Sequence, residues 1–446
     1  MLDFLFLYEH RAREIETCVY LSEALKRKGY KCKVCNMLSF EKKGLKPKVI
    51  IVPHLYDNEQ VRLYTSSIWR KRKTKIIDMQ YEQVLSVIDR ITAIHEPKGE
   101  ARRAFHVAWG ENETMEYLKN GIAKEQILRN GSLPIDFNSS QYRRYLYTKD
   151  QLSNEYQING AKKWCLFLSS FAYCGRSDDD LNKLQNSKDA LRLRSIMEPS
   201  KKEILSWFRK LIETNDDIVV IYRRHPAETI DHSLIELEEK YRNSFILNAE
   251  KSIQHWINAC DNCLTWFSTS SIDAYYSQKP CGILRPYPLD FDYELETLYH
   301  SKTITTFDEL SKFIQVGGDD NNSLIKKDIC RFFDNEIDKL VIDKYIDSFQ
   351  YVLKCDNSER FFYSSKDSLR DRTVEFILGI MCDFSKYCRI SPIVGFFNKK
   401  VGKVVKYYEK ESFGINRDIR GYKKRINQFL NEKGKISDKT LILKEQ

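Results

Sequence analysis

Long apolar runs are missing from this chain. None approaches the ~18 residues that a transmembrane helix needs, and candidates such as Phe376 to Cys382 are far shorter. The opening Met1-Leu2-Asp3-Phe4-Leu5-Phe6-Leu7 has neither a basic leader nor a small-residue cleavage site. It reads as a first β-strand, not a signal peptide. No G-x-G-x-x-G and no Walker A pattern occurs, which argues against a dinucleotide oxidoreductase and a P-loop NTPase. H-E-x-x-H, EF-hand and G-x-S-x-G patterns are absent too. Asp178-Asp179-Asp180 and Asp319-Asp320 read as solvated loops, so no metal is assigned to them.

What is present is ample for folding. The 446 residues suffice for two domains and an appendage, and 42% of them are hydrophobic. The 12 cysteines are scattered, several (Cys18, Cys165, Cys281, Cys382) in segments that look buried. That usage fits a reducing, cytoplasmic compartment. Cys32/Cys35 and Cys260/Cys263 form C-x-x-C pairs. The first pair lies in a strand-like run, where residues three apart face opposite sides, and the second straddles a helix-to-strand turn. They are read as coincidence, not as a joint zinc site.

The net charge of +10 is uneven. Residues 391–446 hold 14 Lys/Arg against 6 Asp/Glu, a net +8, which leaves +2 for residues 1–390. The basic character belongs to the tail, and a nucleic-acid partner loses its main support. In that tail Val401, Val404, Val405 and Tyr408 recur at helical spacing among Lys399, Lys400, Lys403, Lys406 and Lys410. This predicts a basic amphipathic helix, with an anionic membrane surface reached through residues 391–446 as one expected partner.

Strand and helix patterns alternate through two thirds of the chain. Strands are expected at Asp3–Tyr8, Lys31–Asn36, Lys48–Val52, Lys75–Met79 and His106–Gly110, with a helix over Arg11–Lys28 and another over Glu113–Asn120. After a connection without clear strands, Gly131–Gly160, a second series begins. Its strands are Trp164–Leu168, Asp217–Tyr222, Phe245–Asn248, Asn262–Trp266 and Cys281–Arg285. Its first long helix is expected over Pro199–Glu213. Helices follow from about Thr305. The pattern predicts an α/β protein with two doubly wound, Rossmann-like domains, at 1–140 and 160–315, and a helical extension at 316–446.

Ligands of open parallel sheets bind at the carboxyl ends of the strands. Two motifs lie there. Tyr222-Arg223-Arg224-His225-Pro226 places a histidine between cations and a proline that forces the chain out of the strand. Phe267-Ser268-Thr269-Ser270-Ser271 offers more hydroxyls than one helix cap requires, at a helix start that favours anions. Ser169-Ser170 is a third rim element. Arg223, His225, Ser169, Ser170, Ser268, Ser270 and Ser271 are therefore the candidate phosphate-binding residues. Carboxylates at first-domain strand ends, Glu9, Asp78 and Glu82, are the candidate catalytic groups. Glu14 and Glu16 are read as solvent-facing.

Two Rossmann-like halves with an HP and then an SS motif resemble the GT-B glycosyltransferases of bacterial surface polysaccharide assembly. The HP/SS pair is similar to that of CMP-sialic acid and CMP-Kdo transferases and of CDP-glycerol glycerophosphotransferases. Glu9-His10-Arg11-Ala12-Arg13-Glu14, Lys48-Val49-Ile50-Ile51-Val52-Pro53 and Asn130-Gly131-Ser132-Leu133-Pro134-Ile135-Asp136-Phe137 resemble surface carbohydrate biosynthesis proteins. The resemblance covers roughly residues 1–300. It implies two domains facing a cleft, the donor nucleotide on the C-terminal domain, and a glycan or lipid-linked acceptor. A CMP-linked ulosonic acid is the favoured donor, although the acidic-acidic-glycine motif of some sialyltransferases is not evident. A CDP-polyol phosphotransferase and a non-enzymatic scaffold of a polysaccharide complex are the alternatives. No metal or other cofactor is expected. The expected location is cytoplasmic, peripheral on the inner face of the membrane.

Overall fold

The computed structural model describes residues 1–65, 68, 74–84, 86–88, 96–184, 186–225, 227–248, 250–317, 322–356, 369–397 and 399–442. Pro226, Asp319 and Asp320 lie outside these residues. Side chains at 322, 323, 369–372, 374, 375, 382, 397, 399–401, 404 and 435–442 are also outside the description, among them those of Cys382, Val401 and Val404.

The chain forms two compact units. The first comprises Met1–Gln83, His95–Pro134 and Leu340–Gln446, the second Val84–Ile94 and Ile135–Lys339. Residues 316–446, expected as one extension, are thus divided between the two.

In the first unit, β1 (Leu2–Tyr8), β2 (Cys32–Asn36), β3 (Pro47–Val52), β4 (Lys75–Asp78), β5 (Phe105–Ala108) and β6 (Ile127–Arg129) form one sheet, order β2-β1-β3-β4-β5-β6. Every pairing is parallel. Strands such as Val49-Ile50-Ile51-Val52 are apolar on both faces because both faces are covered. Leu5, Leu7, Ile50, Val52 and Ile76 pack into one core with Tyr64. On β1, Phe4 and Phe6 meet Phe349, at ring separations of 6.0 and 6.4 Å. Phe349 comes from the helix Ile342–Lys354, so part of the C-terminal segment covers this sheet.

The final helix, Ile415–Ile442, packs along the helix Arg11–Arg27, with Phe429 buried against Tyr20 at 6.0 Å. Glu14 and Glu16 are therefore not the solvent-facing residues expected: Glu16 is buried and pairs with Arg425 of the final helix at 3.6 Å, and buried Glu14 accepts the Glu9 N–H at 2.7 Å and the His10 N–H at 3.1 Å. The expected basic helix forms over Lys399–Ser412, but Val405 is only 2% exposed and Tyr408 packs against the first unit's core. That part of the apolar stripe faces the protein.

In the second unit, β7 (Lys163–Leu168), β8 (Ile218–Arg223), β9 (Phe245–Asn248), β10 (Asn262–Thr265), β11 (Cys281–Leu284) and β12 (Lys302–Ile304) form a parallel sheet, order β12-β11-β10-β7-β8-β9. Alternate residues serve opposite cores. Cys165, Phe167, Val220 and Tyr222 line one, and Trp164, Leu166, Leu168, Val219 and Ile221 the other. The helix expected to start at Pro199 runs from Ser187 to Thr214 with Pro199 inside it. By local signal Pro199 is a first-turn residue, yet buried Ala190 and Met197 carry the apolar face upstream from Ile204 and Phe208. Burial of that face outweighs the backbone hydrogen bond the proline removes.

Candidate functional site

The second sheet is built outward from β7. The chain runs to β8 and β9 on one side, then returns to lay β10 on the other. The crevice at such a reversal, at the carboxyl ends of the strands, is the ligand position of open α/β sheets. Ser169 and Ser170 follow β7, and Ser268–Ser271 follow β10, so both border this crevice. The His225 turn follows β8, two strand spacings (about 10 Å) from the serine turn.

A buried carboxylate organises the His225 turn. Glu228 Oε1 accepts from Tyr222 Oη at 2.7 Å and pairs with Lys201 Nζ at 3.0 Å. Glu228 Oε2 accepts from Ser169 Oγ at 2.5 Å and from the His225 N–H at 3.3 Å. Lys201 also binds Asp231 at 2.6 Å. Burial alone would depress the Lys201 pKa, but Glu228 and Asp231 outweigh it and hold the ammonium above its usual value. One carboxylate thus ties the ends of β7 and β8 to the helix Ser187–Thr214.

Within the turn, the Ala227 N–H donates to His225 Nδ1 at 3.1 Å. A ring nitrogen that accepts carries no proton, so the neutral imidazole keeps its proton on Nε2. The ring is half-buried.

The other expected phosphate ligands divide. Ser169 is buried and spends its hydroxyl on Glu228. Arg223 donates to the carbonyls of Glu250 at 2.7 Å and Lys251 at 2.6 Å, clamping the turn after β9. Ser268 Oγ accepts from the Ser270 N–H at 3.2 Å, and Ser271 Oγ donates to the Ser268 carbonyl at 2.9 Å. These bonds shape the serine turn and leave Ser270 half-buried at the rim. The buried hydroxyl of Ser170 has no hydrogen-bond partner among the described residues.

Two neighbours lie outside the sequence-derived candidates. Arg285 follows β11, faces the Trp266 ring at 4.8 Å and grips Glu294 at 2.9 and 2.7 Å. A cation directly after a strand was its available signal. Asp273, on the helix Ser271–Tyr276, accepts from Asn138 Nδ2 at 2.8 Å and Gln254 Nε2 at 2.9 Å. Burial drives its carboxyl up to about 6, against the pull of both amides.

In the first unit the sheet reverses between β1 and β3. Glu9 follows β1 and His54 follows β3, with Glu9 Oε2 3.6 Å from His54 Nδ1 and both side chains 19% exposed. His54 stacks on Tyr56 at 5.2 Å, and its Nε2 lies 3.5 Å from Tyr64 Oη. Tyr407 Oη lies 3.5 Å from both Glu9 Oε1 and His10 Nδ1. His54 is absent from the sequence-derived candidates, although it leaves a strand end beside a proline, in a setting like that of His225.

Glu82 is exposed and paired with Arg13 at 2.8 Å. Asp78 does not reach an open rim. It is fully buried, 3.0 Å from His106 Nδ1, and caps the Gln80 N–H at 3.0 Å. Its place at the strand end was legible, but the histidine in register with it on the neighbouring β5 was not. Among the described residues no group of three or more His, Cys, Asp or Glu side chains could hold a metal ion. No described helix is long and apolar enough to cross a membrane.

No protein-family model matches this chain, and no curated protein does. Solved structures do. A single-substitution variant of the wall teichoic acid polymerase TagF superposes with a TM-score of 0.51 at 12% identity, covering 79% of this chain and 89% of that one. TagF without that substitution gives 0.50 at 13% identity, with the same coverage. A UDP co-structure of MnaA from S. aureus gives 0.48 at 14% identity, covering 83% of this chain and all of the other. The TagF likeness, with two six-stranded parallel sheets, shows the two-domain Rossmann-like GT-B fold.

Proposed function

We propose that this chain is a nucleotide-sugar-dependent glycosyltransferase of surface polysaccharide assembly. The observation that carries the reading is that the His225 turn, held by buried Glu228 with Nδ1 accepting the Ala227 N–H, leaves the same carboxyl edge of the sheet as the serine turn, two strands away. His225 Nε2–H and the Ser270 and Ser271 region are assigned to the donor phosphate. As the sugar departs, charge grows on that phosphate, and donors held in place by the two turns would stabilise the transition state. Arg223 and Ser169 act indirectly, by fixing the turns. The acceptor hydroxyl is assigned to a carboxylate, Glu9 first with His54 beside it, then Glu82. The donor favoured is a CMP-linked ulosonic acid, the acceptor a glycan or lipid-linked glycan. No metal is assigned, and the location is the cytoplasmic face of the membrane.

A second reading, transfer of a polyol phosphate from a CDP-linked donor, is favoured by the TM-score of 0.51 to the single-substitution TagF variant soaked with CDPG. Calorimetry with CMP, CDP, UDP and GDP separates the readings. CMP preference supports the first and CDP alone the second. Failure of all four to bind would leave a scaffold role.

A further inference from the structure

The stripe expected to meet a membrane is turned inward at Val405, yet the neighbouring helices leave a different apolar face bare. On the helix Leu369–Phe384, the exposed Phe376, Ile377, Ile380 and Phe384 follow the spacing i, i+1, i+4, i+8. At about 100° per residue these fall within one arc of roughly 100°. Phe384 is 58% exposed, and Tyr387, in the turn that follows, 76%. The next helix, Ser391–Phe397, exposes Ile393 at 63% and Phe396 at 86%. Seven large apolar side chains exposed within 21 residues exceed the scattered single ones of an ordinary surface.

The hairpin that carries this face is itself firmly built. A Cβ on Gly402 would lie 2.4 Å from Gly395 Cα, so the helices Ser391–Phe397 and Lys399–Ser412 cross at backbone contact, which only glycine permits. Glu409 accepts the Ser391 N–H at 2.6 Å and holds the start of the first of these helices. Lys386 is buried in ion pairs with Glu41 and Asp383. The outward-facing residues are therefore displayed by a fixed frame.

Charge selects the occupant. Beyond the paired Lys386, residues 387–410 contain six Lys/Arg and one acidic residue, and Arg389, Lys403 and Lys406 are exposed. We propose that the segment 376–406 docks the protein in the interface of an anionic lipid bilayer. Ile377, Ile380, Phe384, Tyr387, Ile393 and Phe396 enter the acyl boundary, with Phe376 at its border against Phe40, and the exposed Arg389, Lys403 and Lys406 meet lipid headgroups. A second protein copy offers no complementary negative charge through this same segment.

The test is co-sedimentation of the full chain with phosphatidylglycerol-rich and pure phosphatidylcholine vesicles. The expected result is at least about tenfold stronger binding to the anionic vesicles, weakened by salt as the headgroup attraction is screened. Ile393→Ser/Phe396→Ser and Phe384→Ser/Tyr387→Ser should each lower binding about tenfold or more, with unchanged far-UV circular dichroism. Val316→Ser, at an exposed apolar site in the second unit, should not change it. Replacing Phe396 by Trp adds a fluorophore whose emission should shift blue on the anionic vesicles relative to wild type. Equal binding by wild type and both double variants would overturn the proposal. So would absence of binding to either vesicle, or a vesicle-independent dimer that Phe396→Ser makes monomeric.

Discussion

Replacing Asp273 with Asn should stabilise the second unit at neutral pH and do almost nothing in acid. The carboxyl is half-buried, accepts two amide N–H groups and has its pKa driven up to about 6 by burial. In the unfolded chain an aspartate titrates near ~3.9. Between those values the folded state binds more protons than the unfolded one, so stability falls as pH rises. The stability gained from the neutral carboxyl is complete below about pH 4 and is lost as pH passes through about 6. A two-unit shift corresponds to roughly 2–3 kcal/mol. Asparagine accepts the same two hydrogen bonds through Oδ1 and never ionises. The gain from Asp273→Asn should thus grow from near zero at about pH 4 to roughly 2–3 kcal/mol at about pH 7.5. Urea unfolding at a series of pH values measures it. Because the chain has two units, the readout is the transition that the substitution moves. A variant that is destabilised near neutral pH, or whose shift is the same in acid and at neutrality, refutes the reasoning.

Glu228→Gln should cost about 3–5 kcal/mol, because it leaves the Lys201 ammonium buried with only Asp231 as counter-charge; chemical denaturation checks this. Phe429→Ala should destabilise the first unit by about 3–5 kcal/mol, a value expected for a buried aromatic and not for a free tail; a thermal melt decides. With the nucleotide donor that the protein binds, Glu9→Gln should lower turnover about 10²-fold or more, and Glu82→Gln far less, measured by steady-state assay. Asp78→Asn should act through stability, seen as a lowered melting temperature, because its carboxylate is locked against His106.

The fold was legible because parallel strands buried on both faces announce themselves as short apolar runs. The strand Phe245–Asn248 matches its sequence-derived bounds to the residue. The three-residue strands Ile127–Arg129 and Lys302–Ile304 escape such a reading, being too short for any period to emerge. The helix Ser187–Thr214 starts earlier than its sequence suggests because Pro199 gives a strong local signal that tertiary burial overrides. At the site, the rim positions of His225 and the serine turn followed from strand ends alone. The partners that decide each side chain's availability did not. Glu228 lies three residues after His225, but its bonds to Ser169 and Lys201 join positions 59 and 27 residues away, and only the folded chain brings them together. The tail's basic helix was visible as a pattern, but which of its faces meets the first unit depends on packing no local pattern encodes.

That His225 and the serine turn hold a nucleotide phosphate is tested most directly by isothermal calorimetry. Wild type, His225→Ala and Ser270→Ala/Ser271→Ala are titrated with CMP, CDP, UDP and GDP, with folding verified by circular dichroism. Wild type should bind at least one of the four nucleotides. Each variant, still folded, should bind it at least about tenfold more weakly, the loss of a charge-stabilising hydrogen bond. Equal affinity in wild type and both variants would contradict the assignment.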